Sequence, residues 1–209
     1  MGFYSNVLLP WLMDRSMADP ALIPHRREIL ANVSGNVLEV GFGSGINLPY
    51  YPEAVTQLTT VDINPGLNAI AQRRIAASPL TVNNQVLNGE SLPMATASFD
   101  YVVSTYTLCS IAQVHEALSE IARVLKPGGQ FVFLEHGLSD RPNIQRWQHR
   151  LTPLNKLLAD GCHQNRNIQQ LIEAHFEQVT LERFADESMR FMGQIYYKGT
   201  ATKTPVAPD

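Results

Sequence analysis

The sequence predicts an α/β fold with a doubly wound, mostly parallel sheet and helices on both faces. Three observations support this prediction. Short apolar segments alternate with longer amphipathic ones, a glycine-rich turn follows the first predicted strand, and an acidic residue ends the second. Strands that alternate with helices require right-handed crossover connections. Because these connections align the carboxyl ends of the strands, ligand-binding residues are expected at that edge of the sheet.

Five segments are predicted as strands because they are short, rich in β-branched or aromatic residues, and bounded by Gly, Pro, Asp or Asn. They cover residues 37–40, 58–61, 80–87, 101–103 and 131–134. Two amphipathic helices are predicted between them. One begins at Pro65 with Asn64 as its capping residue, and the other covers residues 113–125.

The chain is expected to form one domain with a cap at one end and a tail at the other. Its 209 residues are 44% hydrophobic and 17% charged, which is enough apolar material for a single core. Residues 1–35 are expected to form an N-terminal helical cap or lid, with Pro10 interrupting its first apolar segment and a helix from about Pro20 to Val33. Residues 36–198 would form the main domain. Residues 199–209 are small and polar, and are expected to fray.

Charge and targeting features exclude several classes of protein. The net charge is −3 and Lys/Arg runs are absent, which disfavours nucleic acid as a partner. No apolar stretch approaches the roughly 18–20 residues of a membrane span, and the N-terminus does not resemble a secretory signal. Residues 7–13 are apolar enough to touch a bilayer but lack a flanking basic face. The sequence does not indicate an oligomeric state.

The only cysteines are Cys109 and Cys162, which are far apart in the sequence. Two cysteines provide neither a disulfide framework nor, by themselves, a set of metal ligands. We therefore expect reduced thiols in a cytoplasmic protein that contains no metal.

The glycine-rich turn follows the first predicted strand and contains Gly41, Gly43 and Gly45. Glycines permit positive φ angles and a close approach of the backbone to a ligand. A dinucleotide-binding fingerprint would require its third glycine at position 46, where this chain has Ile46. Glu39, just ahead of the turn, would repel a pyrophosphate and attract an ammonium group. The turn therefore favours a ligand with a cationic amino end.

Asp62 ends the second predicted strand, where doubly wound folds often use an acid to bind ribose hydroxyls. A simpler explanation would be a favourable charge at the N-terminus of the next helix. Residues 88–93 follow the third predicted strand, and residues 98–100 lead into the fourth. These segments are informative because of their order and spacing.

Taken together, these segments resemble the class I S-adenosylmethionine-dependent methyltransferases over nearly the whole chain. The matching segments are residues 38–45, 61–62, 89–93, 98–100 and 123–129. The resemblance implies a seven-stranded Rossmann-like sheet and S-adenosylmethionine as the cofactor, with S-adenosylhomocysteine as its product. It also implies a small-molecule methyl acceptor. The pattern is similar to the branch that includes ubiquinone-biosynthesis methyltransferases.

A narrower resemblance links three further segments to alkyl thiol S-methyltransferases. These are residues 108–111, 134–136 and 160–162, the last together with Arg166. The resemblance implies a thiol acceptor. Similar segments also occur in bacterial phospholipid N-methyltransferase-like proteins, so N-methylation of a headgroup, or N- or O-methylation of another small molecule, is the alternative. We do not expect the N-terminal membrane anchor that the animal proteins carry.

The resemblance also implies roles for individual residues around the cofactor. Glu39 would organise the methionine amino end, Asp62 would bind the ribose, and Ile63 would lie against the adenine. Asn88 stands where the family commonly has an acidic residue, but its carbonyl can still accept a hydrogen bond from the adenine amine. The full implied set is Glu39, Gly41, Gly43, Gly45, Asp62, Ile63, Asn88, Gly89, Glu90 and Thr105.

On the acceptor side, His136 at the end of the fifth predicted strand is the candidate general base, because a thiol readily loses its proton to a nearby group. A hydrogen-bonded structural histidine is the simpler alternative. Cys109 and Trp147 also have a simpler explanation as packing residues. The candidates for the acceptor pocket are Tyr4, Arg26, Tyr106, Cys109, Trp147 and His163.

Two other classes of function remain open at this point. A nicotinamide-dependent oxidoreductase is disfavoured by the missing third glycine of the dinucleotide fingerprint. A non-catalytic cofactor-binding module would share the cofactor site and lack methyl transfer.

Overall fold

A computed structural model describes residues 8–159, 161–185 and 195–204. Tyr4, an expected pocket residue, lies outside these ranges. The helices are α1 (Leu9–Met17), α2 (Ile23–Leu30), α3 (Pro65–Ala76), α4 (Val114–Val124), α5 (Pro142–Leu158) and α6 (Ile168–Glu173). The strands are β1 (Gly35–Val40), β2 (Val55–Asp62), β3 (Val82–Val86), β4 (Phe99–Thr105), β5 (Leu125–Gly137), β6 (Gln178–Phe184) and β7 (Ile195–Thr202).

The strands form one seven-stranded sheet in the order β3-β2-β1-β4-β5-β7-β6. Strands β1 to β5 pair with one another in parallel, whereas β7 is antiparallel to both β5 and β6. The strand order reverses between β1 and β4, and open α/β sheets bind ligands at such a point. The predicted doubly wound, mostly parallel sheet is therefore confirmed.

Strand β1 shows how the sheet is covered on both faces. Val37, Leu38, Glu39 and Val40 are all buried, as expected for a central parallel strand between two helical layers. Val37 belongs to one hydrophobic cluster, whereas Leu38 and Val40 belong to the other. Alternate side chains therefore supply opposite faces of the sheet.

The predicted amphipathic helices are present with small changes at their ends. Asn64 caps α3 by accepting hydrogen bonds from the backbone N–H groups of Gly66 and Leu67. Helix α4 buries its predicted apolar stripe against the sheet. Helical spacing therefore identified the buried face of α4 correctly.

The N-terminal region contains two helices whose prolines lie in their first turns. Pro10 was expected to interrupt the apolar segment, but α1 accommodates it at its start, where backbone N–H groups have no intrahelical partner. The helix expected from Pro20 is divided into a 3₁₀ turn at Pro20–Leu22 and helix α2. An ion pair between Arg74 and Asp14, at 2.5 Å, attaches α1 to α3.

The expected C-terminal tail is wrong for residues 199–202, because they belong to β7. Strand β7 lies between β5 and β6, and its Ala201 is fully buried. A Cβ atom on Gly199 would lie 2.1 Å from the carbonyl oxygen of Thr180 and 3.0 Å from the ring of Phe133. Gly199 is therefore required by close packing against β6 and Phe133.

Candidate functional site

The glycine turn after β1 contains three glycines that meet different surroundings. All three have positive φ angles, of 77° at Gly41, 58° at Gly43 and 78° at Gly45. A Cβ on Gly41 would lie 1.9 Å from the side chain of Thr107, and one on Gly45 would lie 3.0 Å from the ring of Phe42. A Cβ on Gly43 would meet nothing closer than 4.0 Å. Gly41 and Gly45 therefore allow the turn to pack, whereas Gly43 leaves open space beside it.

Asp62 connects the glycine turn to the start of α3. Its carboxylate accepts hydrogen bonds of 2.7 Å from the backbone N–H of Gly43 and of 2.7 Å from that of Asn64. Asn64 performs the capping of α3, so helix capping does not by itself account for Asp62. The half-buried Asp62 carboxylate lies where the second strand ends, directly beside the open face of Gly43.

Glu39 is a buried carboxyl group beneath the same turn. It is 1% exposed and accepts hydrogen bonds from Asn47 Nδ2 at 2.7 Å and from the Tyr51 hydroxyl at 2.8 Å. Burial raises the pKa of Glu39 to about 7, and the nearby charge of Asp62 acts in the same direction. The two hydrogen bonds and the positive charge of Arg26 lower this pKa but do not cancel the effect of burial.

Arg26 brings a buried cation from α2 into this network. It is 3% exposed, and its Nη1 donates hydrogen bonds to Asn47 Oδ1 at 2.7 Å and to Thr105 Oγ1 at 3.2 Å. Its Nε has no hydrogen-bond partner among the described residues. The guanidinium also lies 5.3 Å from the ring centre of Tyr106. The N-terminal cap therefore contributes directly to the ends of the central strands.

Tyr106 connects this network to a second group of side chains at the end of β5. Its φ of 56° is unusual for a residue other than glycine, and such strain is concentrated at functional sites. The ring centres of Tyr106 and His136 are 6.4 Å apart. The structure therefore brings together Arg26, Thr105, Tyr106 and His136, all of which were expected at the site.

Cys109, His136 and Cys162 form a cluster, which we call the thiol cluster. Cys162 Sγ lies 3.4 Å from His136 Nε2, and one ligating atom from each of the three residues lies within 4.8 Å of the others. The pKa of the Cys109 thiol lies well below its usual value, because the Cys162 thiol donates a hydrogen bond to it and His136 lies close by. The resemblance to thiol S-methyltransferases included Cys162 through residues 160–162, but the expected pocket residues did not, because no local pattern places Cys162 beside Cys109.

Several hydrogen bonds fix the loop that carries Cys109. Buried Glu135 uses Oε1 to accept from the backbone N–H groups of Thr107 and Leu108, both at 3.1 Å. The Arg166 guanidinium donates to the carbonyl oxygens of Leu108 and Ile111. These contacts also hold the Arg166 segment against the Cys109 loop, which keeps both cysteines in place.

His163, another expected pocket residue, contacts the backbone of the thiol cluster. Its backbone N–H donates to the carbonyl oxygen of Cys109 at 2.8 Å, and its Nδ1 lies 3.1 Å from the same oxygen. Its side chain also lines an open groove of about 580 Å³ along α5. The structure therefore places His163 beside the cluster, where its side chain contacts the carbonyl oxygen of Cys109.

The remaining cofactor candidates lie at the ends of β2 and β3. Ile63 is 66% exposed, which leaves its side chain available to a flat ligand. Asn88 Nδ2 donates to Glu90 Oε2 at 3.0 Å, and a Cβ on Gly89 would lie 2.9 Å from a Val40 methyl. Gly89 is therefore required by packing against β1.

Trp147 is not a core residue, because it is 60% exposed on α5. The buried face of this helix is polar. Gln148 accepts a hydrogen bond from the Ser139 N–H and donates one to the Gly137 carbonyl, and Thr152 is also buried. Hydrogen bonds to the backbone therefore determine which face of α5 is buried, and the interpretation of Trp147 as a packing residue is wrong.

Comparisons with known proteins agree with this architecture. A family model for a methyltransferase domain matches residues 38–133. A thiol S-methyltransferase of Rattus norvegicus is 38% identical over 152 residues, which cover 70% of this chain and 62% of that protein. A thiol S-methyltransferase of Homo sapiens is 34% identical over 170 residues, covering 75% and 69%. A phosphatidylethanolamine N-methyltransferase of Cereibacter sphaeroides is 27% identical over 151 residues, covering 70% and 73%.

The chain spans 62% of the length of the rat relative and 69% of the human one. Among solved structures, a phosphoethanolamine N-methyltransferase of Haemonchus contortus in complex with S-adenosyl-L-methionine superposes with a TM-score of 0.68 at 15% identity. That match covers 88% of this chain and 53% of the other. At this identity the structural similarity establishes the fold alone.

Proposed function

Because the chain belongs to the class I S-adenosylmethionine-dependent methyltransferases, we propose that it transfers a methyl group from S-adenosylmethionine to a small-molecule thiol. The observation that carries this proposal is the placement of Glu39, Gly43 and Asp62 at the carboxyl edge of the sheet, the same edge at which Cys109, His136 and Cys162 meet. Glu39 and Asp62 provide carboxyl groups, and Gly43 provides open space, that suit the methyl donor. The thiol relatives and the thiol cluster support sulfur as the acceptor atom.

The donor site fits a ligand that carries positive charge. Glu39 and Asp62 are two carboxyl groups close enough to affect one another's ionisation, and a cation between them would favour the charged form of both. Open space beside Gly43 allows the ligand to approach the backbone. We assign Glu39 to the ammonium group of the methionine portion and Asp62 to the ribose hydroxyls.

Arg26 is suited to the carboxylate of the methionine portion. A buried guanidinium N–H without a partner is costly, and a carboxylate would satisfy it with a charge-assisted hydrogen bond. Thr105 and Asn47 hold Arg26 in place through its Nη1 and leave its Nε unused. This assignment gives the N-terminal cap a direct role in donor binding.

Bound S-adenosylmethionine would supply a methyl group already activated by the sulfonium charge, so the protein contributes mainly positioning. The strained Tyr106 and the buried Glu135 shape the end of β4, where the acceptor is proposed to lie. Glu135 fixes the following loop through backbone hydrogen bonds. A rigid loop of this kind keeps the acceptor aligned with the donor.

Calorimetric titration tests the donor assignment. The chain should bind S-adenosylmethionine and S-adenosylhomocysteine but not NAD, which would exclude the oxidoreductase. Gly43→Val should abolish most of the affinity by filling the space beside the turn. Gly128→Val is the matched control, since Gly128 also has a positive φ, of 77°, but lies away from the site with no atom within 4 Å of an added Cβ. Equal losses in both variants would contradict the donor site.

A screen of thiols, amines, phenols and phospholipid vesicles, followed by S-adenosylhomocysteine release, tests the acceptor. We expect turnover with small thiols. Turnover confined to amines, phenols or phosphatidylethanolamine would refute the thiol assignment and leave methyl transfer intact. Donor binding without turnover on any acceptor would instead favour a non-catalytic binding module.

One observation favours a second acceptor class, the headgroup of a phospholipid. Helix α5 carries Arg146, Arg150 and Lys156 and no acidic residue, in a chain whose net charge is −3. Its exposed apolar residues are Trp147, Leu151, Leu154 and Leu157. A basic helix with an exposed Trp/Leu surface is typical of binding at a membrane interface. Within the described residues, no helix combines the length and hydrophobicity needed to cross a bilayer.

Cosedimentation with vesicles tests this second candidate. Vesicles that contain anionic lipid should retain the chain, and Leu154→Glu should weaken retention. Leu80→Glu, a substitution at a half-buried position outside α5, controls for a general effect of added charge. Retention that is unaffected by the Leu154 substitution would argue against α5 as the contact.

A further inference from the structure

The thiol cluster assembles three metal-ligating atoms from three separate segments. Cys109 comes from the loop after β4, His136 from the end of β5, and Cys162 from the segment after α5. Both cysteines are buried, whereas His136 is only partly so. The carboxyl ends of β4 and β5 meet here, so the cluster lies at the edge of the sheet that holds the donor site.

The spacing of the cluster matches a tetrahedral metal site. Zinc binds cysteine sulfur at about 2.3 Å and histidine nitrogen at about 2.0–2.1 Å. Tetrahedral angles then place sulfur about 3.6 Å from nitrogen and the two sulfurs about 3.8 Å apart. The observed 3.4 Å between Cys162 Sγ and His136 Nε2 is close to the first value. All three ligating atoms lie within 4.8 Å of one another, so small side-chain rotations would bring them to the distances of a tetrahedral site.

We propose that Cys109, His136 and Cys162 bind a zinc ion through three protein ligands and leave its fourth coordination position open. Two sulfurs and one imidazole favour zinc over magnesium or calcium, which prefer oxygen ligands. Structural zinc sites use four protein ligands, whereas sites with three keep a position for water or substrate. The proposed site is therefore of the open kind.

The surroundings hold the ligands in place before a metal arrives. Glu135 and Arg166 fix the Cys109 loop through its backbone, and the N–H of His163 holds the carbonyl of Cys109 itself. These contacts involve backbone atoms of the loop, so they leave the sulfur atoms available. A pre-arranged set of ligands binds a metal more tightly than one that must fold around it.

This inference rests on the proposed function for its chemical role. At the open position, the sulfur of a thiol acceptor would bind zinc and release its proton to solvent water. The sulfur lone pair then forms the new S–CH₃ bond. The C–S⁺ bond of the donor breaks, and its electron pair remains on the sulfur of S-adenosylhomocysteine. With Nε2 on the metal, His136 acts as a ligand, which replaces its expected role as a general base.

Metal analysis of the full chain, purified under reducing conditions and dialysed against zinc, tests the site. We expect about one zinc per chain and a rise in Tm on zinc addition. We expect each single-ligand variant to weaken zinc binding by more than about 100-fold: Cys109→Ser, Cys162→Ser and His136→Gln. Loss of a residue that only hydrogen-bonds to a metal ligand costs about 10–100-fold in affinity, and loss of the ligand itself should cost more. His175→Gln controls for surface histidines, since His175 lies in a histidine pair with His115.

Cobalt substitution gives a readout that does not depend on the variants folding. The Co²⁺-loaded unmodified chain should show thiolate-to-metal charge-transfer absorption and the intense visible bands of a tetrahedral site. Absence of thiolate absorption, or zinc retention by the Cys109→Ser, Cys162→Ser double variant equal to that of the unmodified chain, would overturn the inference. A chain that methylates thiols but binds no zinc would retain its proposed function and lose this site. A chain that binds zinc but methylates no thiol would retain the zinc site and lose the proposed function.

Discussion

The pH dependence of donor affinity gives a direct test of Glu39. Burial raises the pKa of this carboxyl to about 7 in the absence of a ligand. A cationic amino group should bind only when Glu39 is ionised, and the ionised fraction rises from about one tenth at pH 6 to about one half at pH 7. An α-amino group with a pKa of about 7.7–8.0 stays protonated over this interval. The affinity for S-adenosylmethionine should therefore increase about fivefold from pH 6 to pH 7.

Titration calorimetry in buffers with different ionisation enthalpies measures the proton that accompanies binding. At pH 6.5, donor binding should release about 0.8 proton from Glu39. Glu39→Gln removes the charge but retains an oxygen that can accept from Tyr51 or Asn47. This variant should bind about 10–100-fold more weakly and release almost no proton. The charged neighbours, Arg26 and Asp62, remain in both proteins.

If Glu39→Gln retained the same pH dependence and the same proton release, another group would be titrating and Glu39 would not be the partner of the ammonium group. This assignment also fails if the unmodified chain binds the donor equally well at pH 6 and pH 7. In that case the buried carboxyl would stay protonated in the complex, and a hydrogen bond would replace the proposed ion pair.

Arg26, Gly199 and the contribution of Glu39 to stability each give a further test. Arg26→Met should weaken donor binding by about 10–100-fold in calorimetry, with the β-sheet circular dichroism unchanged, because it removes the proposed carboxylate partner. Gly199→Val should lower the free energy of unfolding by about 1–3 kcal/mol in urea denaturation, since its side chain would collide with Thr180. Because the folded-state pKa of Glu39 is raised, this group's contribution to stability should decline as the pH rises from about 4.5 through 7. Thermal melts of Glu39→Gln should lack that component.

The sequence predicted the parts of the site that are built from local chain geometry. Three features follow from the backbone conformations that their residues favour. They are the turn from Gly41 to Gly45, Asp62 at the end of β2 and the Asn64 cap. The buried stripe of α4 follows from helical periodicity. In each case the determining contacts lie within a few residues, or within a repeat that a single helix imposes.

The parts that were missed depend on contacts between distant segments. Cys162 joins the expected residues Cys109 and His136 only because β4, β5 and the segment after α5 end at the same edge. The packing interpretation of Trp147 was wrong because α5 instead buries Gln148, which binds backbone atoms of the preceding loop in a way that no apolar pattern encodes. Gly199 resembled a tail residue because the sequence around it does not reveal that it pairs with both β5 and β6.

The two halves of the proposed site differ in chemistry because a sulfonium donor and a thiol acceptor require opposite treatment. The donor carries positive charge, so oxygen atoms and carboxylates such as Glu39 stabilise its binding. A thiol must instead lose a proton, which a soft cation held by Cys109 and Cys162 would promote and nearby carboxylates would oppose. Tyr106 lies between the two groups of side chains, with Arg26 on one side and His136 on the other. A neutral aromatic residue at this position lies between Arg26, which contacts the donor half, and His136 of the thiol cluster, whereas Glu135 is the carboxyl group that lies on the cluster's own side and fixes its loop.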